Sequence, residues 1–141
     1  MKNKLVGLDT NIFIYQFEAH PQFGHYTQNI FSQLASNRIT AVTSVITYTE
    51  VLSFKRSDKI ISELKNLLLE VPNLEMKDVS RDIAEEAARI RRVYKFHLPD
   101  AIQLATALQA KADIFITNDT KLQSFKEIKV LTLSQFTKAK K

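Results

Sequence analysis

The stretch KLVGLDTNIFIY, Lys4 to Tyr15, decides the fold. It opens with the run Leu5-Val6-Gly7-Leu8, short, continuous and apolar, as in a strand buried on both faces of a parallel sheet. Asp9 ends that run, and Asp9-Thr10-Asn11 supplies three residue types that cap helices well. Here a buried strand meets the next helix. In open α/β sheets ligands bind beyond the carboxyl ends of strands, and the first strand is usually central. Asp9 therefore has two readings: it caps the helix, or it stands in a site.

Working outward, Arg38 to Thr43, Leu74 to Lys77, Ile114 to Thr117 and Lys129 to Leu131 are further strand candidates. Helical segments lie between them. Tyr26 to Ser36 carries Ile30, Phe31 and Leu34 at helical spacing. Ser44 is placed to cap a helix running to about Lys55, and Ser57 to cap the next, striped by Ile60, Ile61, Leu64, Leu67 and Leu68. Ser80 caps Arg81 to Lys95, and Pro99 fits the first turn of a helix to about Ala110. This alternation predicts an α/β sandwich around a central parallel sheet of four to five strands. The expected organisation is a single domain over residues 1–141, with a basic, frayed tail from about residue 134.

Composition narrows the chemistry. At 141 residues, 45% hydrophobic and 25% charged, the chain has the balance of a soluble globular domain. With no cysteine, disulfides, thiolate zinc sites and cysteine nucleophiles are excluded, which fits a reducing cytosol. No signal-peptide pattern and no apolar run near the roughly 18 residues of a membrane span occur, so the expectation is a cytoplasmic protein with no membrane partner. Gly7 and Gly24 are the only glycines, which excludes glycine-rich phosphate loops. His20, His25 and His97 have no metal-ligand spacing, and no Ser, His and Asp arrangement supports nucleophilic catalysis. The net charge of +5 suits a polyanion if some acids converge in a pocket, and otherwise simply aids solubility.

Three further acids share the ambiguity of Asp9. Glu50 lies in the apolar segment Val45 to Lys55, one turn from Ile46 and Phe54. There it either needs a counter-charge or metal, or snorkels to water. Asp100 opens a helix whose body is apolar except Gln103, Thr106 and Gln109; the helix dipole alone would favour an acid there. Asp119 follows the run Ile114 to Thr117 and has a turn or cap as its alternative. If the strands are parallel neighbours, all four acids can converge on one cleft. Carboxylates that close repel unless a cation sits among them, and an all-oxygen set selects Mg²⁺ or Mn²⁺ over zinc. Of the four, Glu50 has the poorest purely structural explanation.

Four segments in order, LDTNIFIY (Leu8 to Tyr15), SVITYTEV (Ser44 to Val51), LPDAIQLATAL (Leu98 to Leu108) and ADIFITND (Ala112 to Asp119), resemble the motifs of PIN-domain ribonucleases. The resemblance is strongest to the VapC-type toxins of toxin–antitoxin pairs and covers nearly the whole chain. It implies a metal-dependent endoribonuclease that leaves a 5′-phosphate and a 3′-hydroxyl. Asp9, Glu50, Asp100 and Asp119 would then be the catalytic, metal-binding acids, with Mg²⁺ or Mn²⁺ as cofactor. Thr10 or Asn11 and Thr117 would shape the pocket, and RNA, a small cognate antitoxin and a second copy of the chain would be the partners. A housekeeping RNA-processing nuclease and a non-cleaving RNA-binding module are the alternatives. Lys111-Ala112-Asp113 departs from relatives that often carry glycine before the Asp, which affects a turn. Asp113, at the far end of its strand, reads as structural.

Basic and aromatic residues add candidates. Ile83, Ala84, Ala87, Ile90 and Tyr94 mark the apolar face of the helix Arg81 to Lys95, and Arg91 falls within that arc. Arg91 is thus expected to reach the cleft, holding a carboxylate or a substrate phosphate, or to form an internal salt bridge. Lys95 and His97 either touch RNA or decorate the surface. Phe13, Tyr15, Phe17, Phe23, Tyr26 and Phe31 read mainly as core, with a partner groove or dimer surface open to some of them.

Overall fold

The computed structural model describes residues 3–139. Its five strands are β1 (Lys4–Leu8), β2 (Ile39–Ser44), β3 (Leu74–Lys77), β4 (Ile114–Ile116) and β5 (Lys129–Leu131). All neighbours are parallel, in the order β3-β2-β1-β4-β5. The helices are α1 (Thr10–Phe17), α2 (Gly24–Ala35), α3 (Ile46–Leu52), α4 (Asp58–Leu69), α5 (Arg81–Tyr94), α6 (Leu98–Gln109) and α7 (Leu133–Ala139); a short 3₁₀ turn spans Thr120–Ser124. β1 is central, with Val6 beside Ala41 on one side and Ile114 on the other.

Alternation along the strands divides the core in two. Val6, Leu8, Ile114 and Ile116 face a core completed by Ile12, Phe13, Ile30, Leu34 and Phe136. Phe115 points the other way, into a core of Ile83, Ala87, Ile90, Leu104, Ala105 and Phe125. The predicted sandwich around a parallel sheet is therefore the observed one. Burial on both faces is what made β1 and β4 read as continuous apolar runs.

Local signals act where the sequence placed them in α4 and α5. Ser57 Oγ accepts from Ile60 N at 3.3 Å and Ser80 Oγ from Ile83 N at 3.1 Å. Ser44 behaves differently. It is the last residue of β2, Val45 occupies the cap position of α3, and Ser44 Oγ accepts from Ile46 N at 3.1 Å. That helix stops at Leu52 rather than near Lys55, because Phe54 has no core to enter: it is 46% exposed, with the Arg56 guanidinium over its ring. The expected frayed tail is also corrected. Leu133 and Phe136 are fully buried, and that anchor makes Leu133–Ala139 a helix. Lys140 and Lys141 lie outside the described residues.

Two other expectations concern the end of the sheet away from Asp9. Lys111 has φ 59°, the left-handed conformation in which glycine is favoured, so the missing glycine falls on a turn after α6. Asp113 Oδ2 accepts from Leu5 N at 2.9 Å, the structural role expected of it.

Candidate active site

Asp9 follows β1 directly and caps α1, while its side chain also lines a cavity. Its backbone N–H donates to Ile116 O at 3.1 Å, locking the strand end to β4. Oδ1 accepts from Thr10 N at 2.8 Å as the cap of α1, and Oδ2 accepts from Thr117 Oγ1 at 2.7 Å. Only 7% of Asp9 is exposed. Burial pushes its carboxyl up to about 6, against the pull of the Thr117 and Thr10 hydrogen bonds and with added push from Asp100 and Glu50.

The other acids arrive from three separate elements. Asp119, beyond β4, accepts from Lys121 N at 3.0 Å and so caps the 3₁₀ turn; its own N–H donates to Thr117 Oγ1 at 3.0 Å. Thr117 therefore couples Asp9 to Asp119. Asp100 sits half-buried in the first turn of α6. Burial raises its carboxyl, as do Asp119 and Glu50, while His97 and Lys121 oppose the rise. Glu50 projects from α3 and accepts from Thr10 Oγ1 at 2.6 Å. All four acids, with Thr10, Asn11, Ile14, Ser53 and Phe54, line one open cavity of about 420 Å³.

The distribution of cost among them differs from the sequence reading. Glu50 was expected to be the acid hardest to explain without a metal, on the strength of Ile46 and Phe54, each one helical turn away. Phe54 lies beyond the end of α3 and Glu50 is only half-buried, so that apolar enclosure is not formed. Asp9 instead carries the largest burial cost.

Arg91 does not reach the cavity. The buried face of α5 is Ile83, Ala87 and Ile90, while Ala84 is exposed; that rotation turns Arg91 to solvent. Its Nη1 donates to Phe96 O at 3.1 Å and closes the turn after the helix. Lys95 is the left-handed C-cap of α5, φ 63°, exposed and outside the cavity lining. His97 and Lys121 oppose the rise of the Asp100 carboxyl. Lys121 was missed in the sequence, although a cation two residues past a strand-end acid was the available signal. Gln103 was also passed over: it lies one turn beyond Asp100 on α6, is 2% exposed, and reaches Thr10, Thr43, Ser44 and Thr47.

The donor chemistry fits a hard divalent cation. The cavity offers carboxylate oxygens and no nitrogen or sulfur ligand, and Asn11 Oδ1 is buried there without a hydrogen-bond partner. Among the described residues, no three acidic or imidazole side chains are gathered tightly enough to hold one ion together.

A family model described as PIN domain matches residues 6–129. No curated protein sequence matches the chain. Among solved structures, a toxin–antitoxin complex from Klebsiella pneumoniae contains a chain with 28% identity and a TM-score of 0.70, covering 93% of this chain and 98% of that one. VapBC2 from Rickettsia felis, bound to a DNA fragment from its promoter, shares the fold at 20% identity and a TM-score of 0.73, covering 91% and 98%. FitAcB from Neisseria gonorrhoeae does so at 21% identity and a TM-score of 0.68, covering 92% and 98%. With a five-stranded parallel sheet and a matched span that takes in all four acids, the chain belongs to the PIN domain family.

Proposed function

We propose that the protein is a metal-dependent endoribonuclease acting in the cytoplasm as the toxin of a toxin–antitoxin pair. The observation that carries this reading is the single cavity lined by Asp9, Glu50, Asp100 and Asp119, drawn from four parts of the chain. These acids would hold Mg²⁺ or Mn²⁺. When bound, such an ion makes water a competent nucleophile at neutral pH and offsets charge on the phosphate. The chain's own contribution is positioning. Thr117 orients Asp9 toward Asp119, and Thr10 holds Glu50. His97 and Lys121 lie close enough to influence Asp100 electrostatically, where they can meet a substrate phosphate at the edge of the acidic site.

Purified protein is expected to cut RNA only with Mg²⁺ or Mn²⁺, leaving 5′-phosphates, and to stop when EDTA is added. Asp100→Asn should slow cleavage roughly 100-fold. Cutting that persists in EDTA, or an Asp100→Asn variant as fast as wild type, would overturn the reading. Growth arrest on expression, relieved by a co-expressed partner, separates a toxin from a housekeeping nuclease.

Beside the acids lies a smaller cavity of about 140 Å³, lined by Ile14, Phe17, Phe54, Ile60 and Leu64 together with the Glu18–Arg56 ion pair, and sharing Ile14 and Phe54 with the acidic one. An apolar antitoxin segment is proposed to dock there. Ile60→Glu is expected to weaken the complex about 10- to 100-fold, read by calorimetry against the cognate antitoxin.

A further inference from the structure

Beneath the acids runs a polar network that no surface property of the cavity reveals. At its hub is the Gln103 side chain, buried with Thr10, Thr43, Ser44 and Thr47. Gln103 Oε1 faces Ser44 N at 3.2 Å. A backbone N–H can only donate, so the amide oxygen must point there, and this fixes which way the amide lies. Both hydrogens of Nε2 are then committed, one to Thr10 Oγ1 at 3.2 Å and one to Thr47 Oγ1 at 2.8 Å.

The hydroxyl directions follow in sequence. Thr43 donates to the Leu8 carbonyl at 2.8 Å, a much shorter contact than the 3.4 Å to Gln103 Oε1. Thr47 then donates to Thr43 at 2.7 Å, the shorter contact, with Thr10 Oγ1 at 3.1 Å as its second neighbour. Thr10 already accepts from Gln103, so its proton goes to Glu50 Oε1 at 2.6 Å. Each of these amide and hydroxyl protons has an acceptor within reach. A network this complete orients its terminal groups sharply, whereas a half-satisfied one would not. The segments it joins are the ends of β1 and β2, the start of α3 and the body of α6, which carry or adjoin Asp9, Glu50 and Asp100.

We infer that Gln103 is a positioning residue: acting through the Thr10 hydroxyl, it sets the direction of the Glu50 carboxylate at the cation site. The inference rests on the metal-dependent reading above, and its test separates the two. Mn²⁺ binding to the full chain is measured by electron paramagnetic resonance, with circular dichroism as the check on folding. Wild type is expected to bind and Asp9→Asn to lose binding. Gln103→Leu should weaken affinity roughly 10- to 100-fold, the usual range for residues that orient metal ligands. Thr10→Val should do the same, and Thr10→Ser, which keeps the hydroxyl, should not.

The double variant Gln103→Leu, Thr10→Val should bind no more weakly than the worse of the two single variants. Losses that multiply would place Gln103 outside the Thr10 route and overturn the inference. Wild-type affinity in Gln103→Leu would overturn it too, and if binding still depended on Asp9 the metal-dependent reading would survive. No Mn²⁺ binding by wild type would sink both. Where Gln103→Leu does not fold, the wild-type protein carries the test. The Gln103 side-chain amide resonances should move on Mg²⁺ titration and stay still in Asp9→Asn; resonances that do not move in wild type overturn the inference.

Discussion

Asp9→Asn should lower cleavage by about 10³-fold while making the cation-free fold more stable. The two effects share one cause, a carboxylate buried where its charge is costly. Its carboxyl stands at about 6 in the folded protein against an ordinary 3.8, raised chiefly by burial. Between those values the folded state binds more protons than the unfolded chain, so stability falls as pH rises through that window. Above about pH 6 the full cost is in force, on the order of 3 kcal/mol for a shift of about two units; below the unfolded value it is absent. Asparagine removes the charge and keeps an oxygen for the Thr10 N–H, but its amide must now donate to Thr117 Oγ1, whose own hydroxyl loses its acceptor and offsets part of the gain. The variant should therefore gain about 1–3 kcal/mol near pH 7.5 and almost nothing near pH 4, read by thermal melts in EDTA. Excess Mn²⁺ should narrow or reverse the order, because only wild type binds it. An Asp9→Asn protein that is less stable at pH 7.5 in EDTA, or that still cleaves at the wild-type rate, would contradict this account.

Gly7→Val should cost roughly 3 kcal/mol. Gly7 sits in the central strand with no unusual dihedral angle, and its importance is close approach. A β-carbon there would lie 2.9 Å from Ala107 Cβ and 2.9 Å from Phe115 Cδ1. Both neighbours are 1% exposed, so neither has room to give way. α6 packs on this face through small residues, Ala101, Ala105 and Ala107, and valine would force helix and sheet apart. A lower urea midpoint with an unchanged m-value is the expected signature. Asp100 rides on the same helix, so cleavage should fall as well. Wild-type stability in Gly7→Val would mean that α6 backs away at no cost.

Much of the fold was legible locally. Strands β1, β3 and β5 have the predicted ends, β4 ends one residue early and β2 is shifted by one. β1 and β4 were legible as uninterrupted apolar runs because they are buried on both faces, whereas the edge strands β3 and β5 are partly exposed. Ser57 and Ser80 cap their helices through bonds to residues three positions on, well within the reach of sequence reading. Where a boundary depended on what lay across the chain, local reasoning failed. α3 ended early because nothing received Phe54, and α7 formed because the core received Phe136.

The sequence by itself determined that three of the acids stand at strand ends or a helix start and Glu50 within a helix, and that strands and helices alternate. A parallel sheet with those properties has only one edge at which its acids can gather. Only the tertiary structure decided how the work is divided there. Asp9, not Glu50, bears the burial cost; Lys121 and His97, not Arg91, act on Asp100; and Gln103 organises Thr10 from 93 positions away. Periodicity says which residues of a helix share a face, but the rotation of that face against its neighbours comes from packing. The partners of a buried amide are chosen by whichever distant chains packing brings to it.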